Sequence, residues 1–234
     1  MKSLSVAART WIAFVLACAV TALAYGILHW TSPAPLRFAA LTVLALVTSR
    51  MRVKLPGLTG VMAMNLPFLL MLVAEAGFSA SLLVALLCGV VQSFSSASKP
   101  KPVQLMFNAA TLLNAIAIAS LLFASFTKSG FSIFVAILVA ALGYYLANTV
   151  PVTIVLWLAE GRKPLPTWAR MAELSVPCYL LSAAVAAVTC CGLKGAVWSA
   201  PLGLLAAMFL TWRSYSAYFS LNMLKAKSAT SSTA

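Results

Sequence analysis

Long apolar runs recur along almost the whole chain, and they constrain the fold more than any other feature. Of the 234 residues, 63% are hydrophobic and only 8% are charged. A soluble domain of this size needs far more charge to cover its surface. About 20 apolar residues cross the hydrocarbon of a bilayer as a helix. The sequence therefore predicts an all-α fold, a polytopic membrane helix bundle with no room for a soluble catalytic domain.

The runs predict about eight transmembrane helices, within a range of six to eight. They lie at 11–30, 36–49, 61–74, 78–94, 103–126, 131–159, 175–191 and 196–210, with a polar loop expected from 160 to 174. The second and third runs are shorter than an ordinary span, so we expect them to be tilted spans or half-spans. Residues 1–227 are predicted to form one transmembrane domain, and 228–234 a disordered polar tail.

The basic residues predict the orientation of the chain. With the N-terminus in the cytoplasm, only Arg37, Lys128 and Lys194 fall outside, and the other 13 of the 16 basic residues face the cytoplasm. This asymmetry follows the positive-inside rule and predicts a multi-pass protein of a bacterial inner membrane with both termini cytoplasmic. The net charge of +13 thus indicates topology and a lipid bilayer partner, not a nucleic-acid partner.

The N-terminal run also resembles a signal peptide, with Ala22-Leu23-Ala24 as a cleavage motif. Cleavage after Ala24 would leave seven spans and the same loop orientation. Because the apolar run continues to Trp30, we favour an uncleaved first span.

A short basic segment follows the second run. Residues 50–54 alternate basic and apolar side chains, and this period of two favours extended chain. Pro56 and Gly57 then predict a turn. The simplest role of Arg50, Arg52 and Lys54 is to fix the topology and contact anionic headgroups.

Two neighbouring long runs carry polar side chains at membrane depth. They are Gln104, Asn108, Thr111 and Asn114 in one run, and Tyr145, Asn148 and Thr149 in the next. The first four fall within an arc of about 120° on a helix, so they share one face. We predict that this face points into the bundle, opposite the second group, and forms a ligand-binding pocket. The alternative is that these side chains are structural hydrogen bonds between helices.

The remaining reactive residues do not assemble a catalytic or metal site. The chain has no aspartate, a single histidine at His29, and glutamates only at 75, 160 and 173. The five cysteines lack metal-ligand spacing, and most lie in apolar runs, where cysteine acts as a small hydrophobe. We therefore expect neither enzyme activity, nor a metal, nor a cofactor.

Five segments occur in an order and spacing that carry a resemblance to a known family. They are Val53-Lys54-Leu55-Pro56-Gly57, Lys101-Pro102 through Phe107-Asn108, Tyr145-Leu146-Ala147-Asn148-Thr149, Ala159-Glu160-Gly161-Arg162 and Pro177-Cys178-Tyr179-Leu180. This pattern resembles the multi-span membrane input region that precedes HD-GYP phosphodiesterase and GGDEF cyclase domains in bacterial cyclic-di-GMP signalling proteins. A fainter likeness is to the S components of energy-coupling-factor transporters.

The resemblance implies a function but no catalysis, since no output domain follows within this sequence. We expect a stand-alone membrane sensor-like module that binds a small or lipophilic ligand, or a membrane or signalling protein partner. The alternatives are a substrate-binding subunit of a small-molecule transporter, similar to an S component, and a structural accessory subunit of a membrane complex.

Overall fold

The helices of this chain form a bundle in the computed structural model. The structure describes residues 4–54, 61–94 and 102–192, with 209, 210, 212–214 and 217 beyond them. Within these residues the elements are, in order, α1 (Val6–Leu28), α2 (Pro35–Ser49), β1 (Arg52–Lys54), β2 (Val61–Ala63), α3 (Leu66–Glu75), α4 (Gly77–Phe94), α5 (Pro102–Lys128), α6 (Ile133–Glu160) and α7 (Pro164–Gly192). The predicted all-α polytopic bundle is confirmed, since α1, α4, α5, α6 and α7 are long and apolar enough to cross a membrane. Most of the run at 196–210 and the tail at 228–234 lie outside the described residues.

Capping side chains and a glycine set the helix ends. Ser5 and Ser132 precede α1 and α6, and their hydroxyls accept hydrogen bonds from backbone N–H groups in the first turn. Such caps satisfy donors that have no partner within the helix. Gly161 ends α6 with a φ of 70°, a left-handed conformation that a residue without Cβ adopts readily.

The start of α7 corrects the sequence prediction. Residues 160–174 were expected to form a polar loop, yet α7 begins at Pro164 and continues to Gly192. The prolines at 164 and 166 are compatible with this helix because they stand in its first turn, where the backbone N–H groups need no intrahelical acceptor. The true connection between α6 and α7 is only the short stretch 161–163.

The third predicted run is also not one helix. Residues 61–63 form β2, which pairs antiparallel with β1 so that Arg52 lies opposite Ala63 and Lys54 opposite Val61. The extended conformation predicted for 50–54 is therefore confirmed for residues 52–54, whereas Arg50 has helical backbone angles at the end of α2. The turn predicted at Pro56 and Gly57 lies outside the described residues.

The two short helices, α2 and α3, flank this strand pair. At 1.5 Å per residue they are about 22 and 15 Å long, less than the roughly 30 Å of hydrocarbon in a bilayer. Their inner ends meet, since Asn65 Nδ2 donates to Ser49 Oγ at 3.0 Å and Met64 N donates to Met51 O at 3.1 Å. The chain thus enters the bundle as α2, turns through β1 and β2, and returns as α3.

Helix α3 is the centre of the bundle. Every side chain from Leu66 to Val73 is buried, and the helix contacts α2, α4, α5, α6 and α7. A helix that is apolar all round has no face suited to water and is expected in a core. A run too short for an ordinary span is therefore the element against which α2, α4, α5, α6 and α7 pack.

Candidate functional site

The four polar side chains predicted to share the inward face of α5 do not all point into the bundle. Gln104 and Asn108 are exposed, so the expectation that all four side chains point into the bundle is wrong for these two. Thr111 is buried but donates to Phe107 O of its own helix. Asn114 donates to Val15 O of α1 at 2.9 Å, which makes it a contact between helices.

Small residues explain this orientation of α5. A Cβ built on Gly89 of α4 would lie 2.9 Å from Ala109 Cα, so the two backbones are almost in contact there. Close approach of this kind favours glycine and alanine at helix interfaces in membranes. The alanines of α5 thus set which face is buried, and the first two amides are turned outward.

The polar residues predicted on α6 find their partners on α7 instead of α5. Asn148 Nδ2 donates to the hydroxyl of Tyr179 at 2.9 Å, and Trp168 Nε1 donates to Thr149 Oγ1 at 3.2 Å. The rings of Tyr145 and Tyr179 meet edge to face, with centroids 4.9 Å apart. We call these five side chains the α6–α7 aromatic cluster.

The sequence predicts three members of this cluster, Tyr145, Asn148 and Thr149, but not the two on α7. Trp168 lies in the stretch 160–174, which the sequence predicts to be a polar loop and not part of a membrane helix. Trp168 and Tyr179 are separated by about three helical turns and therefore share a face. This spacing of 11 residues could have identified the pair, but only if α7 were known to begin at Pro164.

The Tyr145 hydroxyl makes no hydrogen bond with the part of the chain that the structure describes. Tyr145 is only 6% exposed, and although Ser175 and Thr149 lie beside its hydroxyl, neither meets hydrogen-bond geometry. A buried hydroxyl without a partner is destabilising. The other polar groups of the cluster bond to one another, so its main effect is to hold α6 against α7.

We expect the Asn148→Leu variant to lose about 1 kcal/mol of stability, the size of a hydrogen bond between membrane helices. Asn108→Leu is the matched control, since Asn108 is exposed and should change stability little. Unfolding of the purified variants by SDS in mixed micelles would measure both. Equal losses would contradict the assignment of Asn148, and not Asn108, as the contact between helices.

An open cavity lies at the end of the bundle where α2 begins and α3 and α7 end, which we call the distal end. Its volume is about 270 Å³. Its lining residues come from five helices and are Arg37, Ala74, Glu75, Phe123, Ile133, Thr189 and Cys190. We call it the Arg37–Glu75 cavity.

An ion pair dominates the electrostatics of this cavity. Arg37 Nε lies 2.7 Å from Glu75 Oε2, and Arg37 Nη2 donates to Glu75 Oε1 at 2.7 Å. Such a side-on, two-contact pair is the strongest common geometry for a guanidinium and a carboxylate. The Arg37 side chain is 49% exposed and that of Glu75 19%, so the arginine faces the opening and the glutamate lies deeper. Cys190 Sγ lies 4.0 Å from Glu75 Oε1.

In the sequence, Arg37 and Glu75 stand as two separate charges, one at each end of the region that holds the two short runs. They are 38 residues apart, and no local pattern links them. Within the described residues, no group of three histidine, cysteine, aspartate or glutamate side chains is suited to hold a metal ion. The chemistry that the cavity offers is therefore recognition of charge beside an apolar wall.

The basic segment lies apart from the cavity. Arg50 is exposed just after α2, and Arg52 is half-buried in β1. The carbonyl of Arg52 accepts a hydrogen bond from Trp212 Nε1 at 3.1 Å, and Lys54 pairs with Val61 through the backbone. The contact of these basic side chains with anionic headgroups stays a prediction.

Comparison with known proteins gives one family. The MASE9 family model matches residues 9–212, a range that includes the aromatic cluster, the cavity and the strand pair. No curated protein and no solved structure matches the chain.

Proposed function

Because the chain belongs to MASE9, a family of membrane-associated sensory domains, we propose that it detects a small molecule in the Arg37–Glu75 cavity. Ligand sites in proteins are concave and mostly apolar, with a few placed polar groups. The observation that carries the proposal is the two-contact ion pair on the wall of an open cavity. An ion pair is a weak source of stability for the fold, and this one is well placed to recognise a ligand.

We propose that α3 carries the signal away from the cavity. Glu75 is the last residue of α3, and Asn65 at its other end bonds to Ser49. A short helix whose first eight side chains are all buried responds as a rigid element, and packed elements move between discrete arrangements. A ligand that shifts Glu75 would therefore displace the inner end of α3.

The strand pair extends this connection toward residue 212. Met64 N, just before α3, donates to Met51 O, and β1 begins one residue later at Arg52. The Arg52 carbonyl in turn accepts from Trp212. In the signalling proteins that this sequence resembles, an output domain follows the membrane region, so a contact near residue 212 is a suitable point of exit.

We assign the cavity to the outer side of a bacterial inner membrane. Arg37 and Lys128 stand where α2 begins and α5 ends, and they are two of the three basic residues that the positive-inside pattern leaves outside. The protein would thus bind and detect a solute outside the cytoplasm, without catalysing a reaction.

Cys190 and Cys191 provide a test with a built-in control. Cys190 lines the cavity, whereas its neighbour Cys191 is exposed and is not among the lining residues. Two single-cysteine variants, labelled with a bulky maleimide, place the same group inside or beside the cavity. With 5-fluorotryptophan in nanodisc samples, we expect the ¹⁹F resonance of Trp212 to shift when Cys190 is labelled.

The Cys191 label should leave the Trp212 resonance unchanged, with Trp212→Phe identifying the signal. No shift after complete labelling of Cys190 would refute the proposed transmission, and equal shifts from both labels would show that the cavity is not the input. Stable co-purification with a pair of ATPase subunits would instead favour the transporter alternative.

A further inference from the structure

The charges of the Arg37–Glu75 cavity indicate the class of molecule that it binds. Resting on the proposed function of this cavity, we infer that its ligand is a small zwitterion with an apolar body, of the apolar α-amino acid class. The ligand's carboxylate would bind the guanidinium of Arg37 and its ammonium the carboxylate of Glu75.

The charge balance of the cavity favours a zwitterion. The pair of Arg37 and Glu75 is neutral as a unit, and among the described residues these are the charged side chains that line the cavity. A simple anion or cation would leave one uncompensated charge at this partly buried site, where unpaired charge is costly. A zwitterion leaves the site neutral and adds one favourable partner for each charge.

The ion pair of Arg37 and Glu75 also keeps hydrogen-bonding capacity for a ligand. A guanidinium carries five N–H donors and a carboxylate about four acceptor positions. The ion pair uses Nε and one N–H of Nη2 on the arginine. Glu75 Oε1 accepts from Nη2, whereas the buried Oε2 lies next to Nε and makes no hydrogen bond within the described residues. Unused donors of the guanidinium and unused acceptor positions of the carboxylate are therefore neighbours, and the existing pair need not break.

The size of the cavity and its apolar lining suit a small ligand with an aliphatic body. The volume of about 270 Å³ has room for about nine water-sized groups, and the non-hydrogen atoms of L-leucine are about as many. Phe123, Ile133 and Ala74 supply an apolar wall beside the charges. This wall fits an aliphatic side chain, and the hydroxyl of Thr189 in the same lining already donates to Val185 O.

Three probes of nearly the same shape test the inference on the purified full chain in nanodiscs. L-leucine carries both charges, isocaproate only the carboxylate, and isoamylamine only the ammonium. By calorimetric titration we expect leucine to bind about tenfold or more tightly than either fragment, the effect of one charge-assisted hydrogen bond. Equal binding of isocaproate would overturn the zwitterion in favour of a simple anion.

Single neutral substitutions should redirect this preference. In Glu75→Gln the site keeps only the arginine charge, so isocaproate should bind better than leucine. In Arg37→Gln the site keeps only the carboxylate, so isoamylamine should bind best. Because a lone charge could impair folding, Arg37→Gln combined with Glu75→Gln removes both charges and should lose leucine binding about tenfold or more.

Unchanged leucine binding in that double variant would show that leucine binds elsewhere and would overturn the inference. Failure of all three probes to bind the wild-type protein would overturn it as well. Neither result bears on the Cys190 labelling experiment, which tests the sensory role of the cavity independently of the ligand's identity.

Discussion

We expect the Phe68→Ala variant to lose about 2–3 kcal/mol of stability. Phe68 is 0% exposed in the first turn of α3 and is among the largest fully buried side chains. The substitution removes roughly 100 Å³, and an unfilled cavity costs about 24 cal/mol per Å³. We count only this packing loss, because a side chain released from a membrane bundle enters lipid and not water.

Phe94→Ala is the matched control, since Phe94 is 71% exposed at the end of α4. Its removal should change stability by less than about 0.5 kcal/mol. Both variants can be unfolded with SDS in mixed micelles at constant lipid content. A loss at Phe68 no larger than at Phe94 would contradict the central position of α3.

The second large effect is expected from filling the contact between α4 and α5. Gly89→Leu should cost about 1–3 kcal/mol through overpacking. The Cβ alone would lie 2.9 Å from Ala109 Cα and 3.2 Å from Ala109 Cβ, and a backbone atom cannot yield as a flexible side chain does. Helix propensity alone favours leucine over glycine by about 0.8 kcal/mol, so a net loss can come only from the clash.

Leu87→Phe adds bulk to the same helix at an exposed position and should be nearly neutral. SDS unfolding again gives the measurement. If Gly89→Leu proved as stable as the wild type, α4 and α5 would not be in backbone contact. The inward orientation of the α5 alanines would then lose its support.

The aromatic cluster shows how far sequence reasoning reached into a site. The polar character of Tyr145, Asn148 and Thr149 on one long run identified them as inward-facing, and the structure brings them together with α7 side chains. Asn108 had the same chemistry and spacing, yet it is exposed. An amide pattern on a helix defines a face, but the packing of neighbouring helices decides where that face points.

The Arg37–Glu75 cavity shows where sequence reasoning stopped. Each residue was visible as a charge beside a short apolar run, but the pair depends on the end of α3 returning to the start of α2. Contacts between distant residues have no periodicity that a local pattern can reveal. They follow from loop closure and helix packing, which depend on the whole chain.

The sequence by itself determined the class of this protein, because the length and apolarity of a helix are local properties that a bilayer selects directly. It also determined the extended segment at residues 52–54, since a period of two belongs to strands. Only the tertiary structure decided that α3 is the core and that an ion pair lines a cavity. The reason is that burial is a property of all the helices together, and the same apolar side chain suits lipid and protein equally well.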